Sequence, residues 1–79
     1  MKTVFHNNHR IEVATFFPEK VFYDGRQMTS KNNVVGESTH VFCVEEEGKS
    51  VTYEIEIKMG WWASWIRVRR NGIIFYSDK

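Results

Sequence analysis

The stretch from Thr39 to Ile57, THVFCVEEEGKSVTYEIEI, decides the fold. Glu47-Gly48 lies at its centre, and glycine accepts the positive φ of the tight two-residue turns that join antiparallel strands. Folding about that dipeptide sets Val44 opposite Val51, Phe42 opposite Tyr53 and His40 opposite Ile55 on one face. Cys43/Thr52, Val41/Glu54 and Thr39/Glu56 fall on the other. Side chains alternate with period two along a strand, so a one-residue slip would turn Val51, Tyr53, Ile55 and Ile57 out to water, and the register is fixed.

Three more turn dipeptides, Asn7-Asn8, Asp24-Gly25 and Asn71-Gly72, lie between segments of apolar and β-branched residues. Around Asn71-Gly72 the pattern pairs Arg70/Ile73, Val68/Phe75 and Ile66/Ser77 on one face, and Arg69/Ile74, Arg67/Tyr76 and Trp65/Asp78 on the other. Joining the two hairpins through Gly60-Trp61-Trp62-Ala63 pairs Glu56 with Arg67, Glu54 with Arg69 and Lys58 with Trp65. The inner face then gains Ile57/Ile66 and Ile55/Val68, so charge and apolar patterns agree on one register. The second half reads as a four-stranded meander, approximately 39–45, 50–59, 64–70 and 73–77.

In the first half, Asn7-Asn8 joins Thr3–His6 to Arg10–Thr15, and Asp24-Gly25 joins Lys20–Tyr23 to Arg26–Thr29, with Phe16-Phe17-Pro18 as the corner. Val4, Ile11 and Val13 face inward, together with either Val21 and Met28 or Phe22. Ser30–Ser38, with Asn32, Asn33 and Gly36, reads as a crossing loop. The expected fold is all-β: a small antiparallel sandwich or flattened barrel of seven or eight strands built from four hairpins, with residues 1–79 as a single domain.

A chain of this length buries roughly 60% of the surface it exposes when unfolded. With 42% hydrophobic and 15% aromatic residues it has the material for a core without metals or disulfides, and its single cysteine, Cys43, has no internal partner. A reducing compartment, the cytoplasm, is the simplest reading. No stretch approaches 18 apolar residues and the first residues hold no apolar core of a signal peptide, so neither a membrane span nor export is expected. Eleven basic against ten acidic residues, evenly divided between the halves, give no global field to draw in nucleic acid or anionic membrane.

The order Arg10-Ile11-Glu12-Val13, then Val21-Phe22-Tyr23-Asp24-Gly25-Arg26, then Thr39-His40-Val41-Phe42 with a later Tyr53-Glu54-Ile55 resembles the β-sandwich domains of the Fas apoptotic inhibitory molecule family and small bacterial domains of similar pattern. The likeness spans roughly residues 10–77 and leaves Gly60-Trp61-Trp62-Ala63 unmatched. It implies a non-enzymatic interaction domain of the all-β class and carries no site residues.

Cys43 and His40 suggest a nucleophile and its base, but residues three apart on a strand project to opposite faces, and a half-buried structural thiol is expected instead. His6 and His9 lie across the first turn from each other; two imidazoles do not make a metal site, and no metal or cofactor is expected. Glu45-Glu46-Glu47 reads as a solvated turn rather than a calcium loop. Arg67, Arg69 and Arg70 beside Trp65 and Tyr76 have the composition of a single-stranded nucleic-acid surface, yet Glu54 and Glu56 on the neighbouring strand neutralise two of them.

Trp61, Trp62 and Trp65 remain. An aromatic loop tip is an anchor for a partner, and strand-like alternation would send one of Trp61 and Trp62 to close the sandwich end and the other to water. The expected function is a non-enzymatic binding or assembly module, using Trp61, Trp62, Trp65, Arg67 and Tyr76 toward a protein partner or a second copy. The competing function is a small β-barrel that binds single-stranded nucleic acid.

Overall fold

The computed structural model describes residues 1–32 and 36–78. Eight strands follow in chain order: β1 Lys2–His6, β2 His9–Ala14, β3 Glu19–Tyr23, β4 Arg26–Lys31, β5 Gly36–Glu46, β6 Lys49–Met59, β7 Ser64–Arg70 and β8 Ile73–Ser77. They form two antiparallel sheets, β1-β2-β3-β4 and β5-β6-β7-β8, each a meander. No helix is present among the described residues, and therefore none long and apolar enough to cross a membrane.

Turn chemistry sets this layout. Asp24, Glu47 and Asn71 hold φ of 49°, 54° and 51°, and the glycines that follow hold 85°, 77° and 83°. Positive φ at both central residues is the geometry whose twist matches the flanking strands. The remaining turn opens with Asn7 at φ 54°. The β5–β6 and β6–β7 pairings follow the apolar alternation throughout: Val44↔Val51, Phe42↔Tyr53, His40↔Ile55, Ile57↔Ile66 and Ile55↔Val68.

The strands facing each other across the sandwich share one core of Val4, Ile11, Val13, Val21 and Tyr23 from the first sheet and Phe42, Val51, Tyr53, Ile55, Ile57, Ile66 and Val68 from the second. Burying each such aliphatic side chain contributes about 1.5–3 kcal/mol. Edge-on and tilted rings tie the sheets at one end, with Tyr23 5.9 Å from Phe42 and 5.7 Å from Tyr53 between centroids.

Two β-bulges alter the expected register. In the β3–β4 pair, Val21 faces Thr29 and Phe22 faces Gln27, leaving Met28 as the extra residue. Val21 is buried, Phe22 is half-buried and Met28 packs on the core from the edge strand. In the β7–β8 pair, Arg69 faces Ile74 but Val68 faces Tyr76, so Phe75 is the extra residue. The expected pairs Val68/Phe75 and Arg67/Tyr76 are therefore replaced by Val68/Tyr76 and Arg67/Ser77. Phe75 and Tyr76 both lean on the core as a result.

The crossing loop is shorter than Ser30–Ser38, because β4 runs to Lys31 and β5 begins at Gly36. Asn33 lies outside the described residues. Eleven-residue strands span roughly 36 Å at about 3.3 Å per residue. They therefore set the long dimension of a body 41 × 21 × 17 Å. A hollow lined by Asn7, His9, Glu47 and Asn71 shows that turns of both sheets meet at one end. The corner 15–18 and the loop 60–63 occupy the other.

Candidate functional site

The end that carries the connecting loops is aromatic. Gly60 N–H donates to the carbonyl of Ala63 at 2.9 Å, closing the four-residue loop between β6 and β7. A Cβ at Gly60 would stand 3.0 Å from that same oxygen, so glycine permits the closure. The two residues at the crown, Trp61 and Trp62, project clear of the sandwich, 88% and 98% exposed. The expectation that one ring braces the core is overturned, because a turn closed by its own hydrogen bond does not continue the strand's alternation. Phe16 and Phe17 stand beside them, 77% and 58% exposed. Phe16 and Met59 join Trp61 and Trp62 around a shallow depression of about 230 Å³.

Trp65 and Arg67 occupy the outer face of the second sheet next to this tip. The Arg67 guanidinium lies over the Trp65 ring, 5.2 Å from its centroid. Glu56 stands 3.9 Å from Arg67 and accepts a hydrogen bond from Arg69, whose Nη1 is also 3.7 Å from Glu54. This confirms the charged ladder and adds the diagonal from Arg69 to Glu56. Tyr76 departs from the expected surface, since the bulge at Phe75 places it opposite Val68 and against the core. Four of the five expected residues therefore share the tip and its adjoining face, and Phe16 and Phe17 are additions. Their signal in the sequence is two aromatic residues at a proline-marked corner, where strand packing has no claim on them.

The turn end carries a polar cluster absent from the sequence reading. Glu46 is buried, not solvated. Tyr23 and Tyr53 hydroxyls donate to its Oε2 at 2.6 and 2.5 Å, and Arg70 Nη2 donates to Oε1 at 2.8 Å. Burial alone would push this carboxyl up, but the bonds from Tyr23, Tyr53 and Arg70 outweigh it and hold it at about 2. Burial and the bond to Glu46 push Tyr53 up to about 12 and raise Tyr23 in the same way. His9 stacks on Tyr23 at 5.3 Å and sits 2.8 Å from Asp24; that bond raises the imidazole and lowers the carboxyl.

A second buried polar group joins the sheets. His40 Nε2 is 3.0 Å from Glu19 Oε1, His40 Nδ1 is 2.8 Å from Thr29 Oγ1, and Ser38 donates to Glu19. The Glu19 and His40 side chains are fully buried. Every buried side-chain polar atom among the described residues has a partner, which identifies both clusters as complete packing units.

Cys43 lies on the outer face away from His40 and is exposed rather than half-buried, with Sγ 3.3 Å from Thr52 Oγ1. His6 and His9 are direct cross-strand partners. Each ring is engaged elsewhere: His6 packs on Phe75 at 5.0 Å, and His9 on Tyr23. Among the described residues no three His, Cys, Asp or Glu side chains come together to hold a metal ion.

Comparison of the chain with protein-family models, curated proteins and solved structures returned no match.

Proposed function

We propose that this domain is a non-enzymatic binding or assembly module whose contact surface is the aromatic tip, with Trp61 and Trp62 as anchors and Trp65 and Arg67 flanking them. The supporting observation is the exposure of Trp61, Trp62, Phe16 and Phe17 together at one end of the molecule. Water-exposed aromatic surface is unfavourable, and contiguous patches of it on a folded domain mark contact sites. An indole also loses little conformational entropy on docking. The free exposed thiol of Cys43 supports assignment to a reducing compartment, the cytoplasm.

A single-stranded nucleic-acid role draws on Trp65 with Arg67 above it. Glu54 and Glu56 oppose it by occupying the neighbouring arginines. The discriminating experiment replaces Trp61 and Trp62 by alanine, singly and together. The unfolding midpoint should stay unchanged while binding weakens by roughly 2 kcal/mol or more per anchor. Early unfolding of both single variants would make the loop a packing element and refute the proposal.

A further inference from the structure

Resting on that reading of the tip, we propose that its partner is the interface of an anionic lipid bilayer. The molecule is only about 21 × 17 Å across its long axis, and the exposed rings stand together on that narrow end. A lipid surface suits such a tip, because each ring that enters it contributes separately. Tryptophan suits this boundary in particular: its indole has an apolar body and one N–H that stays at headgroup level. Trp61 and Trp62 crown the loop, and Phe16 and Phe17 give a second apolar prong alongside.

Charge complementarity selects the anionic lipid. Each carboxylate near this end is already engaged: Asp78 with Lys2 at 2.6 Å, Glu37 with Lys58 at 3.6 Å, and Glu19 in its buried bonds with His40 and Ser38. Lys20, just past the Phe16-Phe17 corner on β3, and Lys31, at the end of β4 opposite Glu19, have no carboxylate partner among the described residues, although Lys31 donates to the Thr39 carbonyl. The acidic run Glu45-Glu46-Glu47 sits a full strand away at the opposite end. A molecule standing on its tip thus presents lysines to the headgroups and keeps that acidic run roughly 36 Å away, several Debye lengths at physiological salt. The cytoplasmic leaflet is the anionic one.

The intact protein is floated with vesicles of phosphatidylcholine alone and of phosphatidylcholine mixed with phosphatidylserine, at low and high salt. Binding should favour the serine lipid, weaken with salt, and shift the indole emission to the blue. Trp61→Ala combined with Trp62→Ala should lower binding at least about tenfold without moving the unfolding midpoint. Lys20→Gln combined with Lys31→Gln should remove the preference for phosphatidylserine. No flotation, flotation indifferent to the tryptophan pair, or equal binding to both vesicles would overturn lipid docking. Sedimentation and oligonucleotide titration of the same variants separate the two levels of inference. If vesicles do not bind but the tryptophan pair abolishes self-association or oligonucleotide binding, the tip is a contact surface for another partner. If the pair affects none of these, both inferences fall.

Discussion

Glu46 offers the most direct test of how the sandwich is held closed at its turn end. Its carboxyl is held at about 2 against an ordinary 4.5. At 1.36 kcal/mol per unit, that shift corresponds to about 3 kcal/mol of stability. The folded state depresses the value, so this contribution is fully present above about pH 4.5 and disappears as the pH falls toward 2, when Glu46 protonates. Glu46→Gln keeps the shape and one acceptor for Tyr23 and Tyr53, but turns an amide N–H toward the Arg70 guanidinium, donor against donor. A domain of this size is stable by roughly 4–12 kcal/mol, so the variant should fold but unfold at distinctly lower urea. Urea unfolding of both proteins from pH 7 to pH 2 should show a difference of about 3 kcal/mol at neutral pH that narrows as the medium acidifies. A difference that stays constant with pH, or is absent at pH 7, would refute the assignment of Glu46 as a charged, bonded carboxylate.

Ile55 is fully buried and Thr52 exposed on the same strand, so Ile55→Ala should cost about 2–5 kcal/mol and Thr52→Ala under 1 in the same denaturation assay. His40→Ala should cost about 3–5 kcal/mol because Glu19 is left in the core without its imidazole partner, and adding Glu19→Leu to His40→Leu should restore much of that loss. In double-mutant cycles Glu56 should couple to Arg69 by a few tenths of a kcal/mol, more than to Arg67, with both terms fading in salt.

The second sheet was readable almost pair by pair because two independent patterns converge on it. Val51, Tyr53, Ile55 and Ile57 alternate with Thr52, Glu54, Glu56 and Lys58, and the same register that buries the first set places Glu54 and Glu56 opposite Arg69 and Arg67. The β7–β8 pair broke from prediction at Phe75 for a reason alternation cannot express. Phe75-Tyr76 are two large aromatic residues in succession, and a bulge lets both approach the core where a regular strand would turn one of them out. That extra residue removed Tyr76 from the surface shared by Trp65 and Arg67.

The candidate site was legible only in part, because its two ends depend on opposite physical rules. Glu46 sits in a run of three glutamates beside a turn, a composition that by itself signals solvent; its burial follows from three donors, Tyr23, Tyr53 and Arg70, that reach it from three other strands. Tyr53 lies in the same hairpin, but Tyr23 and Arg70 are 23 and 24 residues away, and no short window of sequence around Glu46 contains them. The tip fails in the other direction. Trp61 and Trp62 signal burial by composition, yet the loop from Gly60 to Ala63 spends its backbone hydrogen bond on its own closure and has no strand partner to orient its crown. Ile57 and Ile66 at that end are 1% and 0% exposed while Trp61 and Trp62 remain 88% and 98% exposed, so the core there is closed without either indole.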